Sequence, residues 1–299
     1  QTCALPISAT FLYVSAVTTW QAYNTWGGYS LYREAAPLSG QVITNARRAE
    51  RVSFNRPYGL RDGNGASDLF GNEFPLLFLL EQWGVDVAYA TDLDLHQSPL
   101  MPRRHRAVLS LGHDEYYSSE MRRALSSAVD HGVNVAFFGA NFIYRKIRFE
   151  PSINGPYRLM VNYRSVADPI TQTDPAQSTV NWSDYPIEQP SSTFTGSTYG
   201  GAFGTGDLTV SDARGWLWAG AGVHEGQRLI GALGGEFNHY DPRQTHPPRV
   251  QLFGHSHVQG GTCDVTYVAQ LGRAGVWSSG TGQWIYHLNS TPILRNRHL

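Results

Sequence analysis

The chain has 299 residues and a formal net charge of −1, and 41% of its residues are hydrophobic against 16% charged. A chain of this size can bury a large core in one large domain or two small ones. The sequence has no basic run, and both nucleic acids and anionic membranes require clustered positive charge. No apolar run reaches the length that spans a bilayer. We therefore expect neither nucleic acid nor a membrane as a partner.

The N-terminal residues and the cysteines say little about the fold. Residues 1–8, QTCALPIS, read as a translated sequencing adapter, so the fold is considered from residue 9 onward. Cys3 and Cys263 form neither a disulfide framework nor a thiolate zinc motif, and we expect Cys263 to be a buried apolar residue. The sequence leaves the cellular location open: the cytoplasm is slightly favoured, and export through a signal upstream of residue 9 stays an alternative.

Short apolar runs alternate with segments of helical period from ATFLYVSAV onward. This pattern predicts βαβ units, hence a mainly parallel sheet with helices on both faces. The first strand leads into an aromatic loop, TTWQAYNTWGGYSLY. Asn72 is then expected to cap a helix that ends at Gly84. Phe74, Leu77 and Phe78 form the predicted buried face of this helix.

Three further strands follow in the first half of the chain. VDVAYAT is the next strand, AVLSL leads into GHDEYY at residues 112–117, and NVAFFG is the fourth. Between the last two, Ser118 is expected to cap a helix that stops at Gly132. The apolar stripe of this helix consists of Met121, Leu125, Ala128 and Val129.

The second half of the chain begins with a polar stretch. Residues 166–215 are rich in Ser, Thr, Asp and Pro, which predicts a surface excursion or a lid. Strand character returns in QRLIGALGGEF, DVTYVAQL and AGVWSSGTGQWIYHL, which should complete the sheet or pack against it. We therefore predict one α/β domain over residues 9–299 with extra strands in its C-terminal half.

Polar residues fall at or just beyond the carboxyl ends of the predicted strands. In open parallel sheets, ligands bind beyond this edge. The residues placed there are Tyr23, Asp92, His113, Asp114, Glu115 and Asn141. An Asp or Asn after a strand also caps the following helix, so each has a structural alternative. Covalent catalysis is not expected, because the chain has no GxSxG elbow and no cysteine at a strand end.

One metal-binding pattern is built from histidine. DLH at 94–96, GHDE at 112–115 and GHSH at 254–257 follow the order of calcineurin-like metallophosphoesterases. The central GDxxD element of that family is missing. A surface-loop position is therefore the favoured interpretation of His255 and His257.

A second metal-binding pattern combines Glu115 with tyrosines of the aromatic loop. Phenolate and carboxylate oxygens are hard anionic donors, which suit ferric iron better than zinc or copper(I). Composition alone favours packing as the role of Tyr23, Tyr29 and Tyr32 over metal binding. The residues themselves leave both interpretations open.

Six motifs in fixed order carry a resemblance to a known family. They are TTWQAYNTWGGYSLY, RVSFNRPY, GVDVAYATDLDLH, LSLGHDEYYSSEMRRAL, GVNVAFFGAN and AGVWSSGTGQW. Over roughly residues 10–290 the chain resembles the C-terminal domain of the large (beta) subunit of N,N-dimethylformamidase. The resemblance implies a class I glutamine amidotransferase-like α/β fold. Because LGHDEY contains no cysteine, glutaminase chemistry is not expected.

The resemblance also implies an activity. Enzymes of this kind hydrolyse a small amide to formate and an amine, using one ferric ion held by two tyrosines and a glutamate. Glu115 matches the carboxylate ligand, and His113 and Asn141 match residues of the substrate pocket. Glu236, in GGEFNHY, is our candidate for a further acidic pocket residue. Asp114 is expected to orient His113 or to cap the helix.

The tyrosine ligands and the partners follow from the same resemblance. Tyr23, Tyr32 and Tyr58 are all candidates, and we take Tyr23 and Tyr32 as the ligands. The implied partners are a small-molecule amide, a small second subunit and further copies of the chain. The alternative from another class is a non-catalytic domain that binds a sugar or peptide on the same fold.

Overall fold

The computed structural model describes residues 9–36, 41–59, 69–269 and 274–287. The helices are α1 Val17–Tyr23, α2 Phe74–Gln82, α3 Asp92–Gln97, α4 Ser119–Asp130, α5 Ser192–Thr195 and α6 Gln283–His287. The strands are β1 Phe11–Ser15, β2 Glu34–Ala35, β3 Val42–Thr44, β4 Arg51–Ser53, β5 Val87–Thr91, β6 Ala107–Gly112, β7 Tyr116–Ser118, β8 Asn134–Gly139, β9 Arg145–Ser152, β10 Gly155–Val161, β11 Thr198–Thr209, β12 Arg228–His239, β13 Val250–Val258, β14 Gly261–Val268 and β15 Val276–Ser278. The adapter-like residues 1–8, with Cys3, lie outside the described residues.

The main sheet has seven strands in the order β13-β14-β15-β8-β6-β1-β5. From β5 to β15 neighbouring strands are parallel, and β14 and β13 are antiparallel additions at one edge. Parallel neighbours need a crossover connection, which α2, α3 and α4 help to supply along the chain. The protein is therefore a mixed α/β protein with a large, mostly parallel sheet, as the alternation of strands and helices predicts.

Helices cover both faces of this sheet. Leu12 and Val108 pack in one core cluster with Met121 and Leu125 of α4. Tyr13, Leu109 and Leu111 face the other way, into a cluster with α2 and α6. Successive strand residues point to opposite faces, so these parallel strands are apolar on both. The predicted cap of α4 is also confirmed, since Ser118 Oγ accepts a hydrogen bond from Met121 N at 3.2 Å.

Two predicted segments fold differently. The first part of the aromatic loop, VTTWQAY, forms helix α1, and QWIYH forms helix α6 instead of continuing a strand. A π-helical turn over Leu69–Glu73 precedes helix α2, and the N-cap position is occupied by Glu73 and not by the predicted Asn72. Phe78 is exposed while Leu76 and Leu79 are buried. All but the last two residues of α2 are apolar, so the sequence does not single out its buried face.

A second sheet, which the sequence did not predict, begins directly after Glu115. It has the strand order β4-β10-β9-β7, in which β7 lies parallel to β9. Strands β9 and β10 form an antiparallel pair, and β4 extends it at the other edge. This sheet places Arg145, the first residue of β9, opposite Tyr116.

The C-terminal half contains the expected strands in a new arrangement. Strand β14 joins the main sheet, whereas β12 pairs with β11 in a separate two-stranded sheet. Phe237, Phe253 and Trp277 pack these layers together, and Cys263 is buried among them as predicted. GHSH, expected on a surface loop, lies on β13.

The polar stretch at 166–215 contains short turns, α5 and the whole of β11. It contributes Trp182 and Phe194 to the cluster that includes α4. Its role as a lid, and the assignment of residues 9–299 to one domain, stay predictions.

Candidate active site

Glu115 is held at the carboxyl edge of the main sheet by its own backbone. Its N–H donates to Thr19 Oγ1 at 3.0 Å, and its carbonyl oxygen accepts from the N–H groups of Tyr144 and Arg145, each at 2.9 Å. Gly112, just before it, has φ +71, a left-handed conformation that favours glycine. The side chain of Glu115 is fully buried.

Two tyrosine hydroxyls donate to the two oxygens of this carboxylate. Tyr23 bonds to Oε2 at 3.0 Å, and Tyr32 bonds to Oε1. Their rings stack, with centroids 4.2 Å apart. Tyr23 lies one helical turn after Thr19 on α1, so a single face of α1 holds both the backbone and the side chain of Glu115. The structure thus brings together the three residues predicted as metal ligands.

Glu115 is ionised in this arrangement. Burial alone would raise its pKa, but the hydrogen bond and charge of His113, together with Arg145, lower the pKa to about 2. Arg145 Nε lies 3.2 Å from Oε1. Burial raises the pKa of Tyr23 and of Tyr32 well above the usual value, and the charge of Glu115 raises both further. Both phenols therefore keep their protons and donate hydrogen bonds to the ionised carboxylate of Glu115.

His113 lies between two carboxylates. Its Nε2 is 3.1 Å from Glu236 Oε2 and 3.3 Å from Glu115 Oε2. Burial by itself would lower the pKa of His113, but Glu236 and Glu115 outweigh it and raise the pKa well above the ordinary value. The imidazole is therefore a cation near neutral pH and can act as a proton donor.

Asn141 completes the group. Its Nδ2 lies 3.1 Å from His113 Nε2 and donates to Glu236 Oε1 at 3.2 Å. The backbone N–H of Asn141 donates to Asn238 Oδ1 at 2.7 Å and holds the residue at φ +52. Asparagine tolerates this left-handed conformation better than most residues. All four predicted pocket residues, His113, Glu115, Asn141 and Glu236, therefore meet at one place.

Sequence reasoning missed three members of this group. Arg145 and Thr19 contact Glu115 directly. Tyr199 of β11 lies beside Glu236, and burial, together with the charge of Glu236, raises the pKa of Tyr199. No spacing in the sequence marks Arg145, because its contact depends on the unpredicted pairing of β7 with β9. Thr19 had a signal, since it stands four residues before Tyr23.

Three other candidates lie outside the group. Asp114 accepts from Ser110 Oγ at 2.8 Å and Tyr117 OH at 2.6 Å, so it neither orients His113 nor caps α4. Asp92 is likewise buried and accepts from Thr18.

Tyr58, the third tyrosine candidate, packs edge-on against Trp20, with ring centroids 6.2 Å apart. Tyr58 therefore packs against the indole ring of Trp20, whereas Tyr23 and Tyr32 contact Glu115.

The histidines of the metallophosphoesterase pattern contact different partners. His96 Nδ1 lies 2.8 Å from Ser118 Oγ, His255 Nδ1 2.6 Å from Asp264 Oδ1, and His257 Nδ1 3.0 Å from Thr262 Oγ1. Within the described ranges, no group of three or more His, Cys, Asp or Glu side chains is arranged to hold a metal ion. The two-metal cluster expected for that alternative is not formed.

Comparison with known families identifies the family of this chain. The chain matches, over residues 6–297, the family described as N,N-dimethylformamidase beta subunit-like, C-terminal. The chain belongs to this N,N-dimethylformamidase beta subunit-like family. A comparison of the chain with curated proteins found no match. In the part of this family member that the structure describes, every helix is too short or too polar to cross a membrane.

Proposed function

We propose that this member of the N,N-dimethylformamidase beta subunit-like family hydrolyses small amides at the carboxyl edge of its main sheet. One observation carries the proposal: two phenol oxygens meet both oxygens of a buried, ionised glutamate, and His113 stands beside them. Family membership supports the reaction class, and the site supplies residues suited to it. A small amide is the proposed substrate.

The donor set fits a single ferric ion. Tyr23, Tyr32 and Glu115 offer three hard oxygen donors at one point, and the two phenol protons between them are what a trivalent cation would replace. When bound, ferric iron supplies Lewis acidity towards an amide carbonyl. Arg145 already compensates part of the negative charge of Glu115. We therefore assign the ligand role to these two tyrosines and Glu115.

The remaining residues supply proton transfer and charge stabilisation. His113, cationic between Glu115 and Glu236, donates a proton to the nitrogen of the leaving amine. Glu236 accepts a proton from the attacking water and afterwards returns it to His113, whose Nε2 lies 3.1 Å from Glu236 Oε2, so that both groups recover their starting protonation. Asn141 Nδ2 donates a hydrogen bond to the oxygen on which negative charge develops, an interaction worth about 3 kcal/mol in comparable sites. Covalent attachment of the substrate to the protein is not part of this scheme.

Fold and assembly are proposed on the same basis. The parallel core with its site at the carboxyl edge suits a class I glutamine amidotransferase-like fold. The family name refers to the beta subunit of an enzyme. We therefore propose that this chain associates with a small second subunit and with further copies of itself.

Iron analysis with visible spectroscopy tests the proposal. We expect the protein expressed with iron to bind about one iron per chain, to show a tyrosinate-to-iron charge-transfer band and to release dimethylamine from N,N-dimethylformamide. Glu115→Gln should abolish all three properties. Glu34→Gln is the matched control, because Glu34 is also a partly buried carboxylate bonded to a tyrosine and an arginine, but its partners are Tyr29 and Arg47.

Two results would contradict the proposal. A colourless protein whose iron content does not respond to Glu115→Gln would remove the metal site. A coloured protein that binds the amide without releasing an amine would favour the non-catalytic alternative.

A further inference from the structure

A cavity of about 360 Å³ lies beside the first turns of α4, away from the Glu115 group. Arg122, Arg123, Lys146 and Trp182 are among its lining residues, and none of the lining residues is Asp or Glu. Its size is at the lower end of the range for small-molecule sites. The cavity shares strand β9 with the active-site group, because Arg145 faces Glu115 and the next residue, Lys146, lines the cavity.

Lys146 is the sole lysine of the sequence, and it is buried. Its Nζ donates to the carbonyl oxygens of Ala176 at 2.8 Å and Ser178 at 3.1 Å. An ammonium group has three N–H donors and carries a full charge, which two carbonyls do not neutralise. Among the described residues, Lys146 forms no ion pair with a carboxylate. Glu120, Asp168 and Asp174 act on Lys146 only from beyond ion-pair distance. A buried cation that no carboxylate contacts directly is costly unless an anion joins it.

Arg122 and Arg123 add to this positive charge. Arg122 is also buried, and its donors reach the carbonyl oxygens of Gln189 at 2.6 Å and Pro190 at 3.2 Å instead of a carboxylate. Arg123 lies at the exposed rim, where it pairs with Glu120 at 2.8 Å. The N-terminal end of α4, which also borders the cavity through Ser119, favours negative charge as well.

Part of the cavity wall, next to these cations, is apolar. The Trp182 ring lies 4.6 Å from the guanidinium of Arg122 and 5.7 Å from Lys146 Nζ, and Pro186 and Ile187 line the same side. The Nε1 of Trp182 is a further buried donor without an acceptor. An inorganic ion would leave most of this volume and the apolar wall unused.

We propose that this cavity binds a small organic anion, whose carboxylate or phosphate group contacts Lys146 and Arg122 while its apolar part packs on Trp182. Such a ligand supplies the missing negative charge and covers the apolar wall. The site is independent of the proposed amide hydrolysis, which uses none of these side chains.

Isothermal titration with three phenyl compounds tests this proposal. Benzoate and phenyl phosphate carry the anionic group, and benzamide is the neutral counterpart of benzoate. We expect saturable binding of at least one anion, weakened by added salt, with benzamide binding about tenfold more weakly or not at all. The stronger of the two anions identifies carboxylate or phosphate as the natural group.

Two variants and a matched control locate the binding. Lys146→Met should weaken anion binding about tenfold, and Arg123→Gln roughly two- to fivefold because that side chain is exposed. Arg228→Gln removes another exposed, singly paired arginine on β12 and should leave binding unchanged. Circular dichroism checks that each variant is folded. If Lys146→Met does not fold, comparing anion binding by Arg123→Gln and Arg228→Gln still shows whether the anion binds in this cavity.

The proposal is wrong if neither anion binds, or if benzamide binds as tightly as benzoate. It is equally wrong if Arg123→Gln and Arg228→Gln have the same affinity for the anion.

Discussion

Replacing Tyr32 with phenylalanine removes the phenol oxygen that donates a hydrogen bond to the carboxylate of Glu115. The Tyr32→Phe ring can still stack on Tyr23, and Arg164 still lies over that ring at 4.1 Å. What is lost is one hydrogen bond from a phenol to a buried, ionised carboxylate. Hydrogen bonds to charged groups contribute about 1.5–3 kcal/mol.

From this bond we expect Tyr32→Phe to lower the free energy of unfolding of the iron-free protein by about 2 kcal/mol. Tyr23, Arg145 and His113 still stabilise the charge of Glu115, so the loss stays near that of one bond. In the iron-loaded protein, the same change removes one of the proposed ligands. The tyrosinate-to-iron band should then shift and weaken, and iron should dissociate more readily to a chelator.

Urea unfolding of iron-free protein measures the first effect, and chelator competition followed at the visible band measures the second. Tyr29→Phe is the matched control, because Tyr29 lies in the same loop but donates to Glu34 at the exposed surface. We expect it to change the stability by less than about 0.5 kcal/mol. If Tyr32→Phe is no more destabilising than Tyr29→Phe and keeps the band unchanged, the assignment of Tyr32 is refuted.

Three further predictions concern stability. Leu125→Ala opens a cavity between α4 and the main sheet and should cost about 2–5 kcal/mol in urea unfolding. Gly139→Ala would place Cβ 1.6 Å from the carbonyl oxygen of Gly112, so we expect little soluble, folded protein on expression. Asp168 accepts from Arg148 and Thr179, which outweigh burial and hold its pKa below the usual value. The stability it contributes is present above about pH 4 and lost as the pH falls through its folded-state pKa, so Asp168→Asn should reduce the acid sensitivity of unfolding below about pH 4.

Controls separate these effects from general fragility. Gly132→Ala also places a side chain at a positive φ of +88, but nothing lies within 4 Å of its Cβ, so it should cost only about 1–2 kcal/mol. Equal losses from Gly139→Ala and Gly132→Ala would contradict the steric argument. For Asp168, the free energy of unfolding of the original protein and of Asp168→Asn is compared as the pH is lowered. If the two values fall in parallel across the acid range, the pKa of Asp168 is not lowered in the folded protein.

The sequence by itself determined those parts of the protein whose signal is local. Helix α4 is predicted with its cap and buried stripe, because Ser118 and the apolar spacing lie within one short segment. The parallel strands of the first half are equally readable, since each is a short apolar run between turn residues. The same strand ends place His113, Glu115 and Asn141 at one edge, because parallel strands end together.

Only the tertiary structure decided which side chains meet at Glu115. Arg145 reaches it through the parallel pairing of β7 with β9, and Glu236 reaches His113 from β12, which lies in a separate sheet. Neither contact has a period or a spacing in the sequence, because residues far apart in the chain were brought together by packing. The exclusion of Tyr58 and the charge state of His113 are of the same kind, since both depend on which neighbours the fold supplies.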